Sequence, residues 1–425
     1  MKYILTLLST LVLFASCSKD EKGETPTPTL NQRTVVVYMS GENNLTKMSD
    51  MDINEIISGA KTLSDNQQIV VFVDKAKEKP FIACINKNST TSKIDTLYKY
   101  SEDFYASSAD NFYEVLQRAT SLCPAKEYGL VLWGHASGWL VEEDSIPTNL
   151  RRAYGADNGR NDASTSNYKW MNIPSMRLAL EKLGIQWQFI FADCCNMMCA
   201  EVGYELRNIT HYLISSPAEI PGNGAPYTEL VPTFFKSGKE LYEGIVDKYY
   251  NYYTEYYKNT PSIRVEGVSV AEQLSGHSVP LAVFDTQYAT QLANKTKEIV
   301  TNIATEYPQQ LDLSDIPYYL YCDSPTLYDM KAFIQHYASA DEYQDWLTVF
   351  NHAVPYARTS LKWMTIFNKL YMDFDTFNQD VSAYGCLSMF IPQNLPDYYS
   401  GNYAYNERNI NLEWNRVIDW SRFGW

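Results

Sequence analysis

The stretch QWQFIFADCCNM, residues 186–197, decides the fold. Its first seven residues are mostly aromatic and apolar, a pattern typical of a buried strand. The strand pattern ends at Asp193, and two adjacent cysteines follow it. A helical pattern at 174–183 precedes the strand, with Pro174 at its first turn and Gly184 just past its end. A helix followed closely by a buried strand indicates one unit of an α/β fold.

The same alternation continues on both sides of this unit. Further predicted strands are TVVVYM (34–39), QIVVFVD (68–74), FIACI (81–85), YGLVLW (128–133) and YLISS (212–216). Helical patterns separate them at 45–60, 110–122 and 197–207. Strands that alternate with helices favour a mostly parallel sheet that is covered on both faces.

The character of the sequence changes after about residue 230. Long helical patterns rich in Tyr follow, such as 241–257 and 285–307, with one short predicted strand at 385–392. We therefore expect residues 34–230 to form an α/β core. Residues 231–425 are predicted to form a mainly helical region packed on that core.

The N-terminus carries the pattern of an export signal. Lys2 precedes a mostly apolar run, and two small residues stand before Cys17. This order is typical of a bacterial lipoprotein signal peptide over 1–16, with lipidation at Cys17; an ordinary signal peptide with an incidental cysteine is the alternative. The polar, Pro-containing stretch 17–33 predicts a flexible linker. We expect an exported chain that is anchored by its lipid to a bacterial membrane, in the periplasm or at the cell surface.

Composition narrows the class of protein. The 425 residues are 45% hydrophobic and 20% charged, which suits a globular chain with a large core. The formal net charge of -15 argues against nucleic acid as a partner. No later stretch approaches the ~20 apolar residues that a membrane span needs, so membrane contact is expected through the lipid only. We expect a monomer.

The eight cysteines do not resemble a disulfide framework. Apart from Cys17 they are odd in number and irregularly spaced. A zinc site also fits poorly, because the cluster of Cys194, Cys195 and Cys199 has no second group of ligands nearby. One reactive thiol among buried ones is the better account. Cys194 is expected to face the core, since adjacent residues at a strand end point in opposite directions.

Reactive side chains follow two of the predicted strands. His135 follows the strand 128–133, and Cys195 follows the strand at 186–192. In open parallel sheets, reactive groups collect at the carboxyl ends of strands, so neighbouring strands would bring these two residues to one edge. From the residues alone, a structural histidine and a small buried cysteine remain the alternative.

Several motifs, in their order along the chain, resemble those of clostripain-like cysteine peptidases. LWGHASGW (132–139) resembles the histidine motif of that family, and DCCNM (193–197) resembles its nucleophile motif. YMSGENNL (38–45), SPAEIPG (216–222) and GCLSMFIP (385–392) are also similar to the family. Together the matches span most of the chain after its signal peptide.

The resemblance implies a caspase-like α/β/α sandwich and a cysteine endopeptidase, a hydrolase that acts on polypeptide substrates. It implies that Cys195 is the nucleophile and His135 the general base. Backbone N–H groups of Cys195 and Ala136 would hold the oxyanion, although the family usually has Gly where Ala136 stands. A helix predicted to begin near Met197 would favour the Cys195 thiolate.

Substrate preference and self-processing also rest on the resemblance. Asp193 matches an acidic residue of a pocket for Arg or Lys at the cleaved position, but Asn223 lies where a second acidic residue could sit. The basic pair Arg151 and Arg152, between the two motifs, is a candidate site of self-cleavage. We predict no metal and no cofactor. Calcium is suggested by the family resemblance only, because no Asp-rich loop shows ligand spacing.

Two other functions stay open from the sequence. A catalytically inactive peptidase homologue would bind peptide or glycan as a surface lipoprotein, in keeping with the departures at Ala136, Cys194, Asn196 and Asn223. A nutrient-binding lipoprotein is the other candidate, and it would make both motifs a coincidence.

Overall fold

The computed structural model describes residues 30–140, 153–159, 161, 168–259, 263–265, 268–270, 276–307, 311–322, 324–365, 380–393 and 405–420. The predicted signal peptide 1–16 and lipidation site Cys17 lie outside the described residues, as does the predicted cleavage pair Arg151 and Arg152. The described residues from Asn31 onward form one compact unit. Among the described helices, none has the length and apolar character needed to span a bilayer.

Strands and helices alternate along the described chain. The strands are β1 (Asn31–Gly41), β2 (Gln67–Lys75), β3 (Glu78–Ile85), β4 (Asp95–Lys99), β5 (Ala125–Gly134), β6 (Tyr154–Asp157), β7 (Lys169–Met171), β8 (Phe189–Asp193), β9 (Tyr212–Ser215), β10 (Ile263–Val265), β11 (Val268–Val270), β12 (Leu281–Asp285), β13 (Tyr318–Cys322), β14 (Ser324–Asp329), β15 (Tyr356–Arg358) and β16 (Ser388–Phe390). The helices are α1 (Thr46–Ala60), α2 (Ala109–Leu122), α3 (Ile173–Leu183), α4 (Ala200–Glu205), α5 (Tyr227–Leu230), α6 (Lys239–Asn259), α7 (Ala289–Glu306), α8 (Met330–Tyr337), α9 (Ala340–Ala353), α10 (Tyr405–Asn409) and α11 (Glu413–Ile418).

A nine-stranded sheet occupies the centre, in the order β15-β12-β9-β8-β5-β1-β2-β3-β4. The five strands from β9 to β2 are parallel. Antiparallel strands extend the sheet on both sides. The strand order reverses direction between β1 and β5, and ligands of such sheets bind at the carboxyl ends beside that reversal. The predicted α/β fold with a mostly parallel sheet is confirmed.

Helices cover both faces of this sheet. Side chains alternate along β1, so Val35 and Val37 pack on one face and Val36 and Tyr38 on the other. Helices α1, α5 and α6 cover the first face, and α2, α3, α4 and α7 cover the second. The expected α/β/α sandwich is therefore confirmed.

The N-terminal boundary of the fold differs from the sequence prediction. Strand β1 begins at Asn31, inside the stretch predicted as a linker, because Asn31 pairs with Ala125 of β5. Arg33, also in that stretch, is 4% exposed, and its guanidinium lies 2.8 Å from the Glu127 carboxylate. These partners are about 94 residues away along the chain, so local composition could not reveal them.

The chain beyond residue 230 contains more strand than predicted. Strands β12 and β15 extend the central sheet, while β13, β14 and β16 form a separate antiparallel sheet. Each is only three to six residues long. A short apolar run such as Leu281–Asp285 has no period that distinguishes it from the start of the following helix.

Candidate active site

The strands β5 and β8 bring the two predicted catalytic residues to one edge of the sheet. They are parallel neighbours, and Trp133 lies opposite Asp193. His135 and Cys195 each follow two residues later, at the carboxyl ends of strands that lie ~4.8 Å apart. The loops behind them are also in close contact, because a Cβ atom built on Gly138 would lie 2.8 Å from the Asn196 carbonyl oxygen. The geometry therefore agrees with a Cys–His pair.

The Cys195 thiol is half-buried at the end of β8. The backbone N–H of Ile220 lies 3.4 Å from its Sγ atom and can donate to it. The Ile220 carbonyl oxygen lies 3.9 Å from the same Sγ atom and can accept from the thiol. The Ile220 N–H belongs to the segment SPAEIPG, so this part of the chain contributes directly to the site.

The helix predicted near Met197 begins later than expected, and this prediction is wrong. Helix α4 starts at Ala200 and is six residues long. The residues before it are instead held against the segment after β9, where the N–H groups of Asn196 and Met198 donate to Ala218 and Ser216 carbonyls at 3.0 Å. Backbone pairing in three dimensions thus replaces the helical turn that the sequence favoured. A helix dipole at Cys195 is not available.

The neighbouring Cys194 has the opposite environment. Its side chain is fully buried, and its Sγ atom lies 3.8 Å from the Leu132 carbonyl oxygen. Burial, together with the charges of Cys195 and Asp193, raises the pKa of the Cys194 thiol well above its ordinary value. The expectation that Cys194 faces the core is confirmed, and it is a poor nucleophile.

The imidazole of His135 is oriented by a residue that the sequence did not single out. Its Nε2 atom lies 2.6 Å from Oδ1 of Asn44, in the loop between β1 and α1. An amide oxygen accepts, so this contact assigns Nε2 the role of donor. Asn44 lies beside His135 because β1 and β5 are paired. The sequence signals were its position just after a strand and its place in the motif YMSGENNL (38–45).

The backbone around Ala136 is fixed by pairing with β6. Ala136 forms an antiparallel bridge with Tyr154 of β6. The hydrogen bonds of this bridge lie on either side: Gly155 N–H donates to the His135 carbonyl at 2.8 Å, and Ser137 N–H donates to the Ala153 carbonyl at 3.1 Å. In this pattern the N–H of Ala136 itself points away from β6. The predicted role of Ala136 remains a prediction.

Asp193 is enclosed on the sheet face that carries α1 and α6. It is 3% exposed. Its carboxylate accepts hydrogen bonds from the Ala225 N–H at 3.0 Å and from the hydroxyls of Tyr227 and Tyr249 at 2.8 and 3.2 Å. Burial raises the pKa of Asp193 to about 6, and the three donors oppose that rise.

A second carboxyl group, Asp52 of α1, lies beside Asp193 and was missed from the sequence. A Cβ atom built on Gly224 would lie 2.8 Å from Asp52 Oδ2 and 3.2 Å from Asp193 Oδ2. Trp133 Nε1 donates to Asp52 at 2.6 Å. Burial and the Asp193 charge raise the pKa of Asp52 to about 9, so at neutral pH the pair carries about one negative charge. Asn223, by contrast, is exposed.

Comparison with known proteins agrees with this geometry. The sequence profile of the clostripain family matches residues 37–425. The chain belongs to the clostripain family. As a member it is a cysteine peptidase, and the resemblance drawn from its motifs is confirmed. No curated protein sequence matches it significantly.

Solved structures show the same caspase-like fold in this family. A secreted C11 cysteine protease from Bacteroides thetaiotaomicron, with an irreversible peptide inhibitor, is similar at 27% identity and a TM-score of 0.72, covering 92% of this chain and 99% of that chain. An inactive zymogen C11 protease from Parabacteroides distasonis has 24% identity, a TM-score of 0.71 and the same coverage. A second secreted B. thetaiotaomicron protease, iotapain, has 20% identity and a TM-score of 0.70, covering 92% of this chain and 100% of that chain. The last two support the fold alone.

Proposed function

We propose that this clostripain-family peptidase cleaves peptide bonds with Cys195 as nucleophile and His135 as proton carrier. The single observation behind the proposal is the register of β5 and β8, which puts both residues at one edge of the sheet. Of the two adjacent cysteines, Cys195 is half-buried and Cys194 is fully buried in the core. The accessible sulfur is therefore the one that can meet a substrate carbonyl.

The chemistry follows from the hydrogen bonds around the two side chains. The Cys195 thiolate attacks the carbonyl carbon, and the negative oxygen is stabilised by the Ala136 and Cys195 N–H groups. Before the attack, Nδ1 of His135 takes the proton of the Cys195 thiol, while Asn44 holds the ring through Nε2; His135 then gives that proton to the leaving amine and removes one from water. Attack of that water on the thioester releases the second product, and return of the proton from His135 to sulfur restores the thiol.

We further propose that the enzyme prefers to cleave on the carboxyl side of Arg or Lys. The support is the buried carboxyl pair of Asp193 and Asp52. Asp193 ends β8, two residues before the nucleophile, and Asp52 lies beside Asp193 on α1. A cation near this pair would be attracted strongly, because burial lowers the effective dielectric. Since Asp193 is 3% exposed, the loop at 220–225 must open over it when a substrate binds. Gly222 and Gly224 give that loop the freedom to move.

Fluorogenic peptides that differ only at the cleaved residue test both proposals. Wild-type enzyme should turn over Arg and Lys substrates, and a thiol alkylator or Cys195→Ala should abolish that turnover. Asp193→Asn keeps the shape and the acceptor but removes the charge, so kcat/KM for Arg should fall about 10- to 100-fold while a neutral substrate changes little. Equal losses on both substrates would contradict the specificity proposal. Full activity of Cys195→Ala would contradict the mechanism.

Export, lipid anchoring and self-cleavage are proposed as well. Export is supported by the N-terminal sequence pattern and by the secreted relative of 27% identity. Incorporation of a labelled fatty acid into wild-type protein, and its loss in Cys17→Ala, tests the anchor.

Self-cleavage at Arg151 or Arg152 predicts two fragments from wild type and one intact chain from Cys195→Ala on a denaturing gel. A single chain from both proteins would refute it.

A further inference from the structure

The residue that follows the nucleophile has an unusual backbone conformation. Asn196 has a φ angle of +58°, in the left-handed region, where residues with a Cβ atom are uncommon. Asparagine is one of the few residues that adopt this region readily. Asn196 lies between the end of β8 at Asp193 and helix α4, so its conformation sets the direction in which the chain leaves Cys195. At this position the sequence also departs from the clostripain motif.

The side chain of Asn196 is held by main-chain carbonyl groups of two other segments. It is fully buried. Its Nδ2 atom donates to the Pro217 carbonyl at 2.8 Å and lies 3.5 Å from the Tyr319 carbonyl oxygen. The backbone N–H of the same residue donates to the Ala218 carbonyl at 3.0 Å. Asn196 is therefore fixed against the segment SPAEIPG by both its backbone and its side chain.

Stability alone does not explain an asparagine at this position. The Oδ1 atom of its amide is buried and has no hydrogen-bond partner within the part of the chain that the structure describes. A buried polar atom without a partner destabilises the folded state. Positions that give up stability in this way, in a left-handed conformation, cluster at functional sites. The bonds of the Nδ2 atom are therefore better explained by what they hold in place.

Asn196 contacts the chain on both sides of the nucleophile. On one side, its amide is bonded to the segment whose Ile220 N–H and carbonyl oxygen lie 3.4 and 3.9 Å from the Cys195 sulfur. On the other side, its carbonyl oxygen lies 2.8 Å from a Cβ atom built on Gly138. Gly138 is three residues after His135. Asn196 thus joins the segment beside the sulfur to the loop that carries the imidazole.

We propose that Asn196 is the positioning residue of the nucleophile in this peptidase. Its left-handed backbone turns the chain after Cys195, and its amide fixes that turn to Pro217. The sulfur is thereby held against Ile220 and directed toward His135. The inference rests on the proposed roles of Cys195 and His135. It gives the departure of Asn196 from the family motif a use in an active enzyme, in contrast to the loss of activity expected of an inactive homologue.

Two substitutions separate the backbone from the amide. Asn196→Gly removes the amide but adopts the left-handed conformation without strain, whereas Asn196→Ala removes the amide and is disfavoured in that conformation. A displaced nucleophile slows the chemical step. On a fluorogenic Arg substrate, kcat should therefore fall about 10-fold in Asn196→Gly and about 100-fold in Asn196→Ala, with KM within about twofold of wild type. The control is Asn409→Ala, which removes another buried asparagine, on helix α10, and should keep wild-type kcat.

Alkylation of Cys195 tests the position of its sulfur without any need for turnover. Labelling by iodoacetamide is followed as a function of pH, by mass spectrometry of the peptide that contains Cys195. An imidazole close to the sulfur favours the thiolate, so the acid limb of the labelling profile should move up by about 1 pH unit in both Asn196 variants. It should not move in Asn409→Ala. A residue that only supported the fold would lower Tm and leave kcat and this limb unchanged.

Two results overturn the proposal. One is a kcat and a labelling profile that match wild type in both Asn196 variants. The other is an equal loss of kcat in Asn196→Ala and Asn409→Ala, which would mean that the loss reflects general destabilisation. If wild type shows no turnover but the labelling limb still moves in the Asn196 variants, the proposed cleavage fails and the placement of Cys195 by Asn196 stands. Should Asn196→Ala fail to fold, Asn196→Gly decides by itself, since glycine fits this backbone.

Discussion

Replacing Asn44 tests the structural account of His135 most directly. In Asn44→Ala the 2.6 Å contact between His135 Nε2 and the amide oxygen is lost. Asn44 is exposed and lies in a loop, so the substitution removes little packing. The change should therefore affect orientation of the imidazole and stabilisation of its protonated form, and leave the fold intact.

The size of the effect follows from the strength of that hydrogen bond. A bond to a charged group contributes about 1.5–3 kcal/mol. At 1.36 kcal/mol per tenfold change in rate, this range corresponds to about 10- to 150-fold. The exposed position places the expected loss near the lower end, so kcat/KM should fall about 10- to 50-fold. Because the bond is strongest when the imidazole is protonated, the loss should be in kcat rather than in KM.

The assay compares three variants on one fluorogenic Arg substrate across pH. Asn44→Asp keeps an acceptor for Nε2–H and adds a negative charge that favours the protonated imidazole, so activity should be largely retained and the alkaline limb of its pH profile should move to higher pH. The control is Asn54→Ala, which replaces an exposed asparagine on helix α1 and should behave as wild type. If Asn44→Ala stays within twofold of wild type at every pH, Asn44 does not position His135.

Four substitutions and a change of pH have defined outcomes. Cys195→Ala should lower kcat by a factor of about 10⁴ or more, whereas Cys194→Ala should keep activity and lose about 1 kcal/mol of stability in urea unfolding. Gly138→Ala should cost about 1–3 kcal/mol, because φ is +69° and the new Cβ would lie 2.8 Å from the Asn196 carbonyl oxygen. The pKa of Asp52 in the folded chain is about 9, above its value in the unfolded chain, so Asp52 retains its proton on folding. The free energy of unfolding of wild type should therefore fall as pH rises from about 4 to 9, by up to about 1.4 kcal/mol per pH unit. Asp52→Asn should lose less stability between pH 6 and 9 than wild type in the same unfolding assay.

The sequence predicted those parts of the site that depend on local pattern. His135 and Cys195 could be placed because each follows a strong strand pattern, and parallel neighbours end at the same edge. Cys194 could be assigned to the core by alternation alone. The order of the motifs identified the family without any structure.

Other parts depend on contacts that no local pattern encodes. The extended segment before Ala200 is fixed by pairing with the chain after β9, and a sequence rich in good helix formers misled the prediction. Asp52 was recognisable in principle, because its spacing of four residues from Met48 and Ile56 places a carboxyl group on the apolar face of α1.

The two carboxyl groups of the pair, Asp193 and Asp52, differ in their hydrogen-bond donors. Asp193 receives three hydrogen bonds, which hold its pKa to about 6 despite complete burial. Such a carboxylate is stable as an anion near neutral pH. Asp52 accepts from Trp133 Nε1 at 2.6 Å, but burial and the Asp193 charge raise its pKa to about 9. The single negative charge of the pair therefore resides on Asp193, and this is the group that would meet the substrate cation we propose.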